Sequence, residues 1–168
     1  MGKGILHIFD VVVQCCAINN FHREGRIKKE FLFFNRELEE AMKKIQTFTE
    51  NKLKIQVEEH EDQIKIFWIG ESTSRNPAQF LDPILSENFK TVQTTFKRMI
   101  LDFTKAEYMN SAAIIPIIKF LKLAGDTGLF VQVFYNRFER WQSVLIGELK
   151  IFETDDDRIQ IIGIDIPT

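Results

Sequence analysis

Short apolar runs alternate with amphipathic segments after residue 52, and this alternation is the feature that most constrains the fold. Leu53, Ile55 and Val57 alternate with polar residues, which is typical of a half-buried strand. The further runs that predict strands are residues 64–69, 99–103, 129–135 and 159–164. The connecting segments have the period of a helix, which gives the order ββαβαβαβ. Because strands that alternate with helices pair in parallel through right-handed crossovers, we expect an α/β fold with a mixed, mostly parallel sheet.

The first predicted helix begins near Asn76, a capping residue, with Pro77 at its first position. Pro83 either kinks this helix or, with Asp82 as the cap, begins it. A second helix is predicted over residues 111–124, ended by Gly125. The third has one apolar face, formed by Trp141, Leu145, Leu149 and Phe152.

Residues 1–51 precede this pattern as an N-terminal arm and an amphipathic helix, and residues 52–168 form the predicted α/β domain. Residues 26–50 have apolar positions three and four apart and a charged opposite face. Such a helix packs on its own domain, or binds a partner or a second copy in a homodimer. Another hypothesis is that translation starts at Met42, because the codons of Glu39 and Glu40 can form a ribosome-binding sequence.

Charge, cysteines and targeting signals exclude several classes of protein. The chain has 22 Lys and Arg against 24 Asp and Glu, a net charge of -2, which disfavours a nucleic-acid binder. Cys15 and Cys16 are adjacent and form no framework of spaced cysteines, which favours a reducing, cytoplasmic compartment. His7 and Asp10 interrupt the apolar run of residues 5–18, which is too short to cross a membrane. We therefore expect a protein that binds neither nucleic acid nor membrane.

Catalytic and cofactor motifs are also missing from the sequence. It has no G-x-S-x-G, G-x-x-x-x-G-K, G-x-G-x-x-G or H-E-x-x-H. Its three histidines have no metal-ligand spacing, and the acidic run 155–157 lacks the spacing of a calcium loop. We expect no catalytic residue, no cofactor and no metal.

One segment carries most of the functional argument, and it reads M-I-L-D-F-T-K-A-E-Y-M-N-S-A-A-I-I-P-I-I-K-F-L. It resembles the STAS domain of bacterial anti-anti-sigma factors, in which a strand, a D-S-S-G or D-S-T-G loop and a helix follow one another. Asn110 stands where that family has Asp, and Ser111 stands at the serine that a partner kinase phosphorylates. Ala112 and Ala113 replace the second hydroxyl residue and the glycine. The resemblance covers residues 52–164 in element order.

A smaller group of STAS-like bacterial regulators is similar in further details. Its loop reads N-S-S-G, and a W-Q opens its last helix as Trp141 and Gln142 do here. A Pro-Ile in the first helix matches Pro83 and Ile84.

The resemblance implies a non-catalytic regulator that binds an anti-sigma-type serine kinase or a related signalling partner. The kinase would phosphorylate Ser111, and a phosphatase would remove the phosphate. At a helix N-terminus a phosphate is stabilised by free N–H groups, and its charge opposes docking of a partner. A plain structural role is also open, since Ser is a common helix N-cap.

The departures from the family motif leave an alternative to phosphorylation. Tyr108, Met109, Asn110, Ala112 and Ala113 can form a partner-binding surface without any modification of Ser111. In that interpretation the protein is an unphosphorylated scaffold or assembly subunit that acts through its N-terminal helix.

Overall fold

A computed structural model describes residues 44–166, in which a six-stranded sheet has its strands in sequence order. The strands are β1 (Lys44–Glu50), β2 (Leu53–Glu59), β3 (Gln63–Ser72), β4 (Arg98–Met109), β5 (Val131–Asn136) and β6 (Ile159–Ile164). The helices are α1 (Pro77–Thr95), α2 (Ile114–Thr127) and α3 (Arg140–Leu145), and a 3₁₀ helix, Gly147–Phe152, follows α3.

The pairing changes from antiparallel to parallel along the sheet. β1, β2 and β3 pair antiparallel through short turns, because a few residues suffice to reverse the chain. From β3 to β6 the pairing is parallel, and a helical connection follows each of β3, β4 and β5. The mixed, mostly parallel α/β sheet and the order ββαβαβαβ after residue 52 are therefore confirmed.

The prediction of a helix over residues 26–50 is wrong for residues 44–50, the part of this segment that the structure describes. Lys44–Glu50 is strand β1, and it pairs with β2 from Lys44 opposite Glu59 to Glu50 opposite Leu53. The segment reads K-I-Q-T-F-T-E, so Ile45 and Phe48 fit a helical spacing while Gln46, Phe48 and Glu50 also alternate. The hydrogen bonds offered by the β2 edge decide between the two periods. The sheet thus begins before residue 52, and the rest of the N-terminal predictions, including the Met42 start, lie outside the described residues.

One face of the sheet forms the core with α1 and α2. Alternate residues of β2–β6 are buried there, as the period of two requires: Leu53, Ile55, Val57, Ile64, Ile66, Trp68, Met99, Leu101, Phe103, Val131, Val133, Tyr135, Ile159 and Ile161. The Trp68 and Phe103 rings lie 4.4 Å apart between centroids. Phe89 of α1 meets Phe120 of α2 edge to face, with centroids 6.0 Å apart. The first contact thus joins two neighbouring strands, and the second joins the two helices that cover them.

Two of the three predicted helices differ from the structure: α2 differs at both ends, and the third, predicted with an apolar face from Trp141 to Phe152, divides into α3 and the 3₁₀ helix. α1 begins at Pro77 with Asn76 as its N-cap residue, so Asp82 is not the cap and the exposed Pro83 lies inside the helix. α2 begins at Ile114 instead of Ser111, and it ends at Gly128 instead of Gly125. Gly128 has a φ of 72°, and its N–H returns to the last turn of the helix. Within residues 44–166 no helix is long and apolar enough to cross a membrane.

Gly70 is required by the irregular end of β3. Its φ is 85°, and a Cβ atom there would lie 2.3 Å from the carbonyl oxygen of Lys52. The register of β3 against β4 shifts between Gly70 and Glu71, so this glycine shapes the part of β3 that leads to the site.

We predict that Gly70→Ala lowers the free energy of unfolding by about 1–3 kcal/mol, because it combines left-handed strain with a backbone clash. Urea denaturation measures the change. Gly125→Ala is the matched control, since its Cβ would meet only Ile159 Cδ1 at 3.6 Å inside a helix. The control should be neutral or slightly stabilising, and equal losses in both variants would contradict the assignment.

Candidate functional site

The candidate site lies where β4 separates from β5. β4 pairs with β5 only from Met99 to Asp102, whereas it pairs with β3 as far as Met109, opposite Ser72. The second half of β4 therefore has one strand neighbour, and its carbonyl groups on the other side need different partners. The sequence predicted only residues 99–103 as strand, so this extension of β4 was missed.

The side chain of Gln142, in α3, fills the gap between the two strands. Its Nε2 donates to the carbonyl oxygens of Phe103 and Ala106, both at 2.9 Å. Its Oε1 accepts from the N–H of Asn136 at 2.7 Å. The side chain is fully buried, so these three bonds are made away from water. One carboxamide thus holds the middle of β4 at a fixed distance from the end of β5.

Asn110 organises the turn that follows β4, residues 110–113, which we call the Ser111 turn. Its N–H donates to the carbonyl of Ser72 at 3.0 Å, and its Nδ2 donates to the carbonyl of Ser74 at 2.9 Å. Its Oδ1 accepts from the N–H of Ala113 at 3.0 Å. A carboxylate can accept from Ala113 but cannot donate to Ser74, since an ionised Asp is an acceptor only. The amide therefore ties this turn to the loop that precedes α1.

Ser111 is exposed on this turn and is not the N-cap of α2. The residue in the N-cap position is Ala113, and the side chain that reaches its N–H belongs to Asn110. Within the part of the chain that the structure describes, the Ser111 hydroxyl makes no hydrogen bond. The capping role considered for Ser111 is thus wrong, and its hydroxyl is left accessible at the surface.

The other predicted contact residues divide by burial. Tyr108 is 48% exposed, and Asn110 and Ala112 are partly exposed. Met109 and Ala113 are buried in the hydrophobic core of the unbound chain. Partner binding by these residues stays a prediction.

Two exposed residues of α2 were not identified from the sequence. Ile115 is 49% exposed and Ile118 is 36% exposed, and they lie three positions apart on the outer face of the helix. The sequence pattern could have identified them, because apolar side chains are unexpected on the face of an amphipathic helix that is exposed to solvent. With Tyr108, they place apolar surface on both sides of Ser111 in the sequence.

Asp102 lies within β4, and the acidic run 155–157 lies just before β6. Asp102 accepts at Oδ1 from the N–H and the hydroxyl of Thr104, at 2.9 and 2.6 Å, which is a local structural role. A cavity of about 370 Å³ is lined by Asp155, Asp157 and residues of β6. No group of three or more His, Cys, Asp and Glu residues among those described could hold a metal ion.

Comparisons with known proteins give a fold likeness. No protein-family model matches the chain, and no curated protein matches it. SiaC of Pseudomonas aeruginosa is similar in structure, with a TM-score of 0.53 and 13% identity over 72% of this chain and 99% of that chain. A chain in the crystal structure of the diguanylate cyclase SiaD in complex with its activator SiaC, from the same organism, has a TM-score of 0.47 and 16% identity, over 70% of this chain and 99% of that one.

A third similar structure is an uncharacterised Shewanella loihica protein of the DUF3478 family, described as having a SpoIIAA-like fold. Its TM-score is 0.39 and its identity 13%, over 71% of this chain and 84% of that one. The element order and the likeness to SiaC confirm the STAS-like fold that the sequence predicted.

We predict that Gln142→Met lowers the free energy of unfolding by about 3 kcal/mol, because it leaves two buried carbonyls and one buried N–H unpaired. Gln142→Glu should also destabilise at neutral pH, since a carboxylate cannot donate to the carbonyls. Guanidinium denaturation provides the measurement for both variants.

The control for this prediction is Gln132→Met. Gln132 is partly buried and bonds only the side chain of Gln160, at 2.8 Å. Its loss should cost about 1 kcal/mol or less. If Gln142→Met is no more destabilising than the control, Gln142 does not hold the strands as described.

Proposed function

We propose that this chain is a non-catalytic, cytoplasmic STAS-like regulatory protein that binds a signalling partner through the Ser111 turn and the start of α2. The partner is a serine kinase of the anti-sigma type or a related signalling protein. It phosphorylates Ser111, a phosphatase removes the phosphate, and the modification controls docking.

This proposal rests on the exposure of Ser111 and on its hydroxyl having no hydrogen-bond partner among the described residues. Its side chain is exposed, on a turn that Asn110 fixes with three hydrogen bonds. Because the hydroxyl has no structural partner among the described residues, a phosphate can be added without breaking a contact of the fold. A defined turn at the surface also gives a kinase a fixed shape to recognise.

The surface around Ser111 supports a docking role. Tyr108, Ile115 and Ile118 expose apolar area to the solvent, and interfaces are enriched in such aromatic and aliphatic anchors. A phosphate adds about 1.5 to 2 negative charges at neutral pH. Placed inside an apolar interface, this charge would lose its hydration on docking, and binding would weaken.

The start of α2 would stabilise a phosphate on Ser111 when no partner is bound. α2 begins at Ile114, close behind Ser111, so the partial positive charge of its first turn lies near the phosphate. The modification would therefore block docking without unfolding the domain.

Modification of Ser111 is tested on protein purified from its own host. Trypsin should release residues 106–119, A-E-Y-M-N-S-A-A-I-I-P-I-I-K, in which Ser111 and Tyr108 are the hydroxyl residues. We expect part of this peptide to carry one phosphoryl group on Ser111 by tandem mass spectrometry. Ser111→Ala should remove it, and Ser86→Ala, at an exposed position of α1, should not. A peptide that is unmodified under all growth conditions contradicts phosphorylation.

Control of docking is tested with the purified host kinase that modifies the chain, as the binding probe. We expect Ser111→Ala to bind it like the parent protein, and Ser111→Glu to bind about tenfold more weakly or worse. Calorimetric titration measures both. If both variants bind like the parent, the switch is wrong. Loss of binding on deletion of residues 1–41 would then support the scaffold interpretation.

A further inference from the structure

Two loops meet at the end of β3 and β4, because these parallel neighbours finish at the same edge of the sheet. Residues 73–76 follow β3, and the Ser111 turn follows β4. The Asn110 amide donates to the Ser74 carbonyl at 2.9 Å. Arg75 directly follows Ser74, and Ser111 directly follows Asn110. The Cα atoms of Arg75 and Ser111 are therefore each about 3.8 Å from the Cα atom of a residue that forms this hydrogen bond.

Arg75 differs from most other arginines of the described chain in having no acidic partner. Its side chain is exposed and makes no hydrogen bond or ion pair within residues 44–166. The paired arginines are Arg98 with Asp62, Arg137 with Asp165, and Arg158 with Asp156. The strength of such pairing is visible at Arg137, whose bidentate bonds hold the pKa of Asp165 below its usual range. Arg75 is therefore an unpaired guanidinium, among the described residues, in the loop that is hydrogen-bonded to the Ser111 turn.

We infer that Arg75 binds the phosphate of phosphorylated Ser111 within the same chain, which latches residues 73–76 to the Ser111 turn. This inference rests on the proposed function and adds a mechanism of regulation to it. A phosphoserine presents acceptor oxygens that match the planar donors of a guanidinium. Both side chains are exposed, so they can meet without any change in the core.

The latch changes the surface that a partner meets. In the unmodified protein the Arg75 cation and the Ser111 hydroxyl are both available to a partner. In the modified protein they bind each other, and the rotamers of both side chains become fixed. The docking surface therefore includes both the Ser111 turn and the residues before α1, and one modification alters both loops.

The test uses phosphoserine incorporated at position 111 during translation, so that no kinase is needed. Phosphorus NMR follows the second ionisation of the phosphate as a function of pH, which has a pKa of about 6 in free phosphoserine. An adjacent cation favours the dianion, so Arg75 should lower this pKa. We expect Arg75→Gln to raise it by about half a unit relative to the parent.

Two further variants separate the latch from general effects. Arg98→Gln makes the same change in net charge at the opposite end of β4, and should leave the phosphate pKa unchanged. Arg75→Lys keeps the charge but loses the bidentate geometry, and should give an intermediate value. The N-terminus of α2 acts equally in every variant, so the difference reports Arg75 alone.

The outcomes separate this inference from the proposed function. A phosphate pKa that is the same in the parent and in Arg75→Gln overturns the latch, even if phosphorylation releases the partner. A pKa that depends on Arg75 supports the latch, even if the kinase binds the modified and unmodified chains equally and the proposed function fails.

Discussion

The buried carboxamide of Gln142 is the interaction on which the functional end of this fold depends. β4 and β5 are regular neighbours as far as Asp102 and then separate. A gap between parallel strands normally exposes backbone groups to water or leaves them unpaired at a cost. Gln142 binds both strands at once, with its nitrogen on β4 and its oxygen on β5. A single buried side chain thus supplies hydrogen-bond partners to both strands at the point where their direct pairing ends.

Because Gln142 bonds the middle of β4, β4 can leave β5 and continue beside β3 to the carboxyl ends of both strands. The two strands stay paired up to Ser72 and Met109, and Asn110, directly after β4, donates to the carbonyls of Ser72 and Ser74. The position of Ser111 is therefore set by backbone pairing on one side and by a glutamine on the other. An amide suits position 110 better than an ionised Asp, because it accepts from the turn and also donates to the neighbouring loop.

The sequence predicted β2 to β6 and the helices between them because each has a clear period and enough length. Lys44–Glu50 was assigned to a helix because its seven residues satisfy two periods, and only the partner strand distinguishes them. The second half of β4 was missed because its exposed and partly exposed residues Thr104, Lys105 and Glu107 interrupt the apolar run. The role of Asn110 also escaped prediction, because the carbonyls that it binds are distant in sequence.

The arrangement of the strands in sequence order bears on how the chain reaches this structure. Each strand pairs with the one that precedes or follows it along the chain, so no strand must wait for a distant segment to complete its place. The antiparallel pairings of β1, β2 and β3 close short loops, so they lose little entropy. The parallel pairings of β3 to β6 each span a helical crossover, so they are less local and should form more slowly. The sheet can therefore grow one hairpin or crossover at a time, during synthesis as well as after it.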